Sequence, residues 1–247
     1  MANMVEKRSE LISEDEALVL TALPHGEHGA VVRFLCRQSG LRAGYVAGAR
    51  GKRMRATLHP GNRVALRLRV RSEGQLPTAS AEVAESRALL AYTPGPAAVL
   101  MWLTELTAAV LAEAVPHPRL VDTLDTILAG LSAGMDGSTM RLAVARYELL
   151  LLQESGFGLD LESCALGGRA DDLAFVSPNS GRAVSRAMAA GQPWAPRLLP
   201  LPAALFSGEG SPADAADALR LTGHFLELHW LHQRPALRAI RERAARA

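Results

Sequence analysis

The sequence predicts an α+β protein, with a small N-terminal β-barrel followed by a mainly helical region. Three observations carry this expectation. Residues 15–85 hold short apolar or alternating runs punctuated by Gly and Pro. One of these runs, Arg63 to Arg71, alternates with period two. After Glu85 the chain becomes rich in Ala, Leu and Glu, with apolar residues at helical spacing.

Residues 1–14 are polar and acidic, with no apolar signal core, and read as a flexible tail. Strands are expected near Ala17–Leu23, Ala30–Arg37 and Leu41–Ala47, separated by Pro24, Gly26, Gly29, Gly40 and Gly48. Pro60-Gly61-Asn62 then opens a fourth strand. In it Val64, Leu66, Leu68 and Val70 alternate with Ala65, Arg67, Arg69 and Arg71. Period two puts the apolar set on one sheet face and the arginines on the other. A fifth strand is expected from Pro77 to Val83. Five short strands in this span match an OB-type barrel over residues 15–85.

Helices are expected over Ala97–Ala114, Leu120–Ala133 and Ser138–Ser155, within a helical domain covering 86–247. Pro94-Gly95-Pro96, Pro116-His117-Pro118 and Gly134–Gly137 separate them. Ser211 reads as the N-cap of a last helical region, with Pro212 at its first position. The longest apolar region, Ala97 to Val115, is broken by Thr104, Glu105, Thr107 and Glu113, too polar for a bilayer span. Two cysteines 128 positions apart, Cys36 and Cys164, form no disulfide framework and fit a reducing cytoplasm.

The net charge of +2 hides an asymmetry. From His28 to Ser72 there are eleven Arg and Lys and no acid, leaving sixteen cations against twenty-five acids elsewhere. Such a block points to a polyanionic partner. The candidate nucleic-acid contacts are Arg33, Arg37, Arg42, Arg50, Lys52, Arg53, Arg55, Arg67, Arg69 and Arg71. Gly48 and Gly51 would let the Arg50–Arg55 loop lie flexibly against a phosphate backbone. Aromatic platforms are scarce in this half. Phe34 alternates with Val32 and Cys36 and reads as core, while Tyr45 suits either base stacking or a barrel or turn role. Binding should therefore be mainly electrostatic, weakly sequence-selective and sensitive to salt.

Catalytic signatures are missing. Gly51-Lys52 fails as a phosphate-binding loop, because Val46 and Arg53 stand where Gly and Ser or Thr are needed. No nucleophile elbow or zinc-protease motif occurs. His224, His229 and His232 read as solvated or hydrogen-bonded helix residues rather than a metal site. Nothing singles out a catalytic pair, so the chain is read as a non-enzyme without a cofactor.

Two stretches carry recognisable motifs. Leu20 to Arg55 has an apolar strand, the turn Gly26-Glu27, a second strand, and Gly48-Ala49-Arg50 with trailing cations. Arg146 to Gly168, RYELLLLQESGFGLDLESCALGG, has an Arg-aromatic-Glu-Leu helix, a Gly-aromatic-Gly-Leu turn and a cysteine. In this order the two resemble the bacterial recombination mediators of the RecO family. The resemblance implies binding of single- and double-stranded DNA and annealing of complementary strands. It also implies work with RecR and single-stranded DNA-binding protein (SSB) to load the recombinase. For an acidic SSB tail, Arg146 and Arg141 are the candidate contacts; alternatively Arg146 pairs with Glu148 or Glu154. Arg238, Arg241, Arg243 and Arg246 either extend the DNA surface or end a solvated helix.

Many family members carry a four-cysteine zinc site. Here its frame falls on Cys164, Gly167, Ser185 and Met188, so one ligand of four remains. Residues 164–190 are thus expected to be a zinc-less insert held by packing through Leu173, Phe175 and Val184, with Cys164 a small buried apolar residue. Two other readings stay open: an RNA-binding factor of OB type, and an interaction scaffold without nucleic-acid affinity. A nuclease is a third, and lacks the clustered carboxylates of a two-metal site.

Overall fold

The computed structural model describes residues 11–70 and 74–247. Residues 1–10 of the expected tail, and Arg71, lie outside the described residues. The chain forms two compact units, Met1–Leu89 with Leu111–Val121, and Leu90–Val110 with Asp122–Ala247.

The first unit contains β1 (Leu11–His25), β2 (Gly29–Cys36), β3 (Gly40–Val46), α1 (Lys52–Thr57), β4 (Arg63–Val70) and β5 (Thr78–Glu85). The five strands close into a barrel in the order β1-β2-β3-β5-β4, with β4 returning to β1. Closure leaves only a short parallel contact, Tyr45 opposite Thr78, between β3 and β5. Alternation does what the sequence requires of β4. Val64, Leu66 and Leu68 are buried in the core, while Arg67 and Arg69 face out. Phe34, Val32 and Cys36 are fully buried among them.

Two elements differ from expectation. β1 starts at Leu11, inside the supposed tail, because its acidic stretch pairs with the basic strand: Glu14 lies opposite Arg67 and Glu16 opposite Ala65. A bulge between Val19 and Thr21 bends this long strand so that its first half serves β4 and its second half β2. The expected flexible loop after Gly51 is instead the helix α1. Its C-terminal carbonyls of Ala56 and Thr57 accept hydrogen bonds from the buried Asn62 amide, at 2.8 and 3.0 Å. Leu58 and the half-buried Met54 seat it on the barrel core.

Residues 111–121 belong with the barrel rather than with the helices. The Ala114 N–H donates to the Leu41 carbonyl at 2.9 Å. Gly40 has φ +73°, and a Cβ there would stand 2.1 Å from the Val115 carbonyl oxygen, so only glycine fits.

The second unit holds most of α2 (Pro94–Val110), α3 (Pro118–Ser132) and α4 (Gly137–Glu154). A small sheet follows, of β6 (Leu173–Val176), β7 (Ala183–Ser185) and β8 (Leu199–Pro200), with α5 (Arg186–Ala189) and α6 (Ala204–Ser207). α7 (Pro212–Leu226) runs through a π-helical turn at Glu227–Leu231 towards α8 (Pro235–Ala245). Ser211 and Asp214 cap α7 reciprocally, as the Ser-Pro start suggested. α4 packs on α7 and α2 on α8.

These helices meet at a buried polar hub. Glu148 is fully buried and accepts from Trp102 Nε1 at 2.8 Å and from Arg241 Nε and Nη2 at 2.9 Å each, and also from the Thr222 hydroxyl. Each carboxylate oxygen is thereby satisfied, which a buried charge requires. No helix among the described residues is long and apolar enough to cross a membrane.

Candidate nucleic-acid interface

The structure sorts the expected arginines into two groups. On the outer face of β4 the positive charge is met by acids from neighbouring strands. Arg67 Nε donates to Glu14 at 2.8 Å, and Arg63 lies 3.2 Å from Glu85. Arg33 sits 3.8 Å from Glu113, and Arg37 and Arg69 also have partners. The acid-free block of the sequence is therefore not acid-free in space.

The second group is Arg50, Lys52, Arg53 and Arg55, on and just before α1. All four are exposed, and none makes an ion pair among the described residues. Arg50 donates to the Gly26 carbonyl at 3.1 Å, which ties it to the β1–β2 turn without neutralising it. Arg42, half-buried on β3, has no ion pair among the described residues either. Two clefts border the α1 segment. One, of about 910 Å³, is lined by Lys52, Arg53, Met54, Ser80, Glu82 and Val83. The other, of about 470 Å³, is lined by Arg50 and Arg55 over mostly apolar residues. Tyr45 is half-buried, covering Gly29 and meeting His25 edge-on at 6.1 Å. It is outside the barrel core. Sequence reading put the β4 arginines in the same candidate set as the Arg50–Arg55 segment, because the compensating acids are distant in sequence.

This grouping has a testable consequence. Replacing Glu14 by Gln leaves the Arg67 charge uncompensated, and should tighten oligonucleotide binding a few-fold at low salt. That is about the size of one partly screened surface pair. Arg67→Ala in wild type should change affinity less than any of the four α1-segment substitutions. Fluorescence anisotropy of a labelled oligo-dT compares them; a Glu14→Gln variant with weaker binding would contradict this sorting.

In the helical unit, Arg141 and Arg146 do not share a site. Arg141 Nη1 donates to the Ala247 carbonyl at 2.8 Å. Arg146 is exposed and makes no ion pair among the described residues; Glu148, one of its two expected partners, is held by Arg241 instead. Arg146 lines a cleft of about 400 Å³ with Asp122, Thr126, Ile127, Met135 and Ala143. Of the C-terminal arginines, Arg238 pairs with Glu227 and Arg241 is committed to the buried hub. The three histidines are occupied singly. His224 Nε2 bonds to the Pro178 carbonyl at 3.0 Å, His232 Nδ1 to the Glu227 carbonyl at 3.3 Å, and His229 stacks on Phe157 at 4.2 Å. Among the described residues no three His, Cys, Asp or Glu side chains are grouped to hold a metal.

Three positions of the zinc frame, Cys164, Ser185 and Met188, gather around Gly168, while a Cβ at the fourth, Gly167, would meet nothing within 4 Å. A Cβ added at Gly168 would lie 2.2 Å from Ser185 Oγ, 2.7 Å from Met188 Cγ and 3.1 Å from Cys164 Sγ. One thiol, a hydroxyl and a thioether do not fit a tetrahedral structural zinc. Packing of the segment rests on Val176, Ala183 and Val184, with Leu173 and Phe175 only half-buried. Cys164 is buried, but it is not an inert apolar residue. Burial pushes its thiol up. The backbone N–H of Ser185, at 3.3 Å, outweighs that together with the Leu166 and Gly168 backbone and the Ser185 hydroxyl, and the thiol falls to about 7. Burial pushes the Cys36 thiol up to about 11. Thiolate absorbance at 240 nm should rise in two separate steps, and Cys164→Ser should remove the lower one. Because the folded thiolate is favoured, Cys164 contributes stability fully above pH 9, lost as pH falls through about 7. The melting temperature of wild type should gain on that of Cys164→Ser between those limits.

Comparison with known proteins matches the chain in two stretches. Residues 11–87 match the family model described as Recombination protein O N terminal, and residues 96–238 match Recombination protein O C terminal. A protein of Paracoccus denitrificans named DNA repair protein RecO is 46% identical over 213 residues, 86% of this chain and 85% of that one. Proteins of the same name from Caulobacter vibrioides (strain CB 15) and Rhodospirillum rubrum are each 42% identical. The matches cover 91% and 88% of this chain, and 89% and 88% of theirs. With both halves matched and identity sustained over most of its length, the chain belongs to the RecO family of DNA repair proteins.

Proposed function

We propose that the protein is a non-enzymatic mediator of DNA repair and homologous recombination, acting in the cytoplasm. It binds single- and double-stranded DNA through an OB-type barrel and anneals complementary strands. With RecR it helps load recombinase onto DNA coated by SSB. The observation that carries this reading is the row Arg50, Lys52, Arg53 and Arg55, exposed and without acidic partners among the described residues. Two DNA strands repel each other. A cationic surface that holds one loosely lowers the cost of bringing in its complement, and base pairing then drives the product. No side chain needs to make or break a bond. The test is annealing of complementary oligonucleotides by wild type and by the fourfold alanine variant. Annealing that is unchanged in the variant would remove the basis of the mechanism.

Family membership favours DNA over RNA as the polyanion, and competition between oligo-dT and oligo-rU separates the two. The segment 164–190 is read as the frame of a metal site whose ligands have been replaced, now held by the β6–β7 pairing and hydrogen bonds to Cys164.

Arg146 and the apolar wall of its cleft, Ile127, Met135 and Ala143, suit the acidic, apolar-ended tail of SSB. Arg146→Glu should weaken binding of a peptide of that chemistry at least tenfold, as loss of a charge-assisted contact plus new repulsion. Arg141→Ala should leave it unchanged. Isothermal titration with the peptide checks both.

A further inference from the structure

The cleft beside Arg50 and Arg55 has a lining unlike a plain phosphate track. Ala30, Ala49 and Leu58 are buried beneath it, and Ala22 and Pro24 of β1 form its wall. Its volume, about 470 Å³, is room enough for a nucleobase, and the cleft is open to solvent. An apolar hollow of this kind offers nothing to a phosphate. It does suit a flat group with apolar faces and a polar edge.

The polar elements are few and placed at the rim. Arg50 and Arg55 are exposed and without acidic partners among the described residues. His59 Nδ1 lies 2.9 Å from the Pro60 carbonyl, and so carries the proton there. In the neutral ring the other nitrogen, Nε2, is then left as a hydrogen-bond acceptor. Two cations, an apolar hollow and one acceptor in the same lining describe a nucleotide unit.

We propose that this cleft holds one unpaired nucleobase while Arg50 and Arg55 hold the phosphates on either side of it. The proposal rests on the nucleic-acid reading above and adds a preference for unpaired strands. A base in a duplex must first leave its stack to enter, whereas one in a single strand is already accessible. Duplex DNA then uses the cations alone.

The probe is an oligonucleotide alternating thymine with 2-aminopurine, free or bound, with acrylamide as collisional quencher. A duplex of the same length is the comparison. Bound to wild type, part of the 2-aminopurine fluorescence should become shielded from acrylamide. Ala22→Phe fills the cleft, and should lower single-strand affinity about tenfold, the size of one base contact. It should abolish shielding and leave duplex affinity unchanged. If Ala22→Phe does not fold, Ala22→Leu takes its place, and the wild-type shielding needs no variant. The proposal falls if the bound wild-type complex shows no shielding. It also falls if a folded filling variant binds single strands as wild type does, or loses equally on both substrates. In those three cases the nucleic-acid reading survives. If wild type binds neither substrate, both readings fail together.

Discussion

Alanine at Arg50, Lys52, Arg53 and Arg55 together is expected to flatten the salt dependence of oligo-dT binding. Each phosphate neutralised on a single strand contributes about 0.7 to the slope of log affinity against log salt. Four contacts therefore carry roughly 3 units of slope, and about a hundredfold or more in affinity at low salt. The expectation depends on these four being free to meet phosphates. All four are exposed, and they make no ion pair among the described residues. Alanine at Arg67 is the control, since Glu14 already occupies that guanidinium. Two outcomes are informative beyond the loss itself. A variant that weakens binding at an unchanged slope would show that the segment shapes the barrel end rather than holding phosphates. A slope that falls as much with Arg67→Ala would move the interface onto the β4 face.

Glu148→Ala is expected to cost the helical unit about 3–5 kcal/mol, the usual penalty for breaking one side of a buried ion pair. The loss does not stop at one contact. Arg241 would keep its charge in a largely buried position without its counter-ion, and the Trp102 N–H would lose its acceptor, while the Thr222 hydroxyl would keep only the Ala218 carbonyl at 3.2 Å and the Leu219 carbonyl at 3.5 Å. Glu148→Gln retains an acceptor for Trp102 but removes the charge, and should lie between wild type and alanine. The three tryptophans, Trp102, Trp194 and Trp230, all belong to the helical unit, so their fluorescence in a urea titration reports on it selectively. A shift below about 1 kcal/mol would mean the hub is tolerated rather than required. DNA binding by the barrel of Glu148→Gln at low temperature should remain, because the hub lies wholly in the other unit.

Much of the barrel was legible in the sequence for a simple reason. Val64, Leu66 and Leu68 announce their face by period two, as do Val32, Phe34 and Cys36, and a half-buried strand needs little else. The beginning of β1 was not legible. Ser13-Glu14-Asp15-Glu16 has no apolar alternation, and its strand character comes from a partner fifty-three residues away, as the Glu14–Arg67 bond shows. The same long-range pairing explains why the ten candidate contacts could not be ranked. Local charge counting sees β4 as basic, whereas the folded surface balances it. Helix α1 was missed because six residues between Gly51 and Leu58 are too few to show a period; Asn62 and the core contact of Met54 make it a helix. The cleft of Arg146 was half legible. Its arginine lies in a recognisable motif, but Ile127 and Met135 come from elsewhere in the chain.

The strap formed by residues 111–121 bears on where this protein can be cut. A barrel fragment ending at residue 89 looks complete by strand count, since all five strands are inside it. It would nonetheless strip the backbone partner from Leu41 and uncover Gly40, whose missing side chain exists to admit Val115. A cloning boundary drawn on the linear map therefore severs a fold that the chain completes only after its first long helix. An expressible barrel needs that later segment supplied, whether in the same polypeptide or grafted back across a short linker.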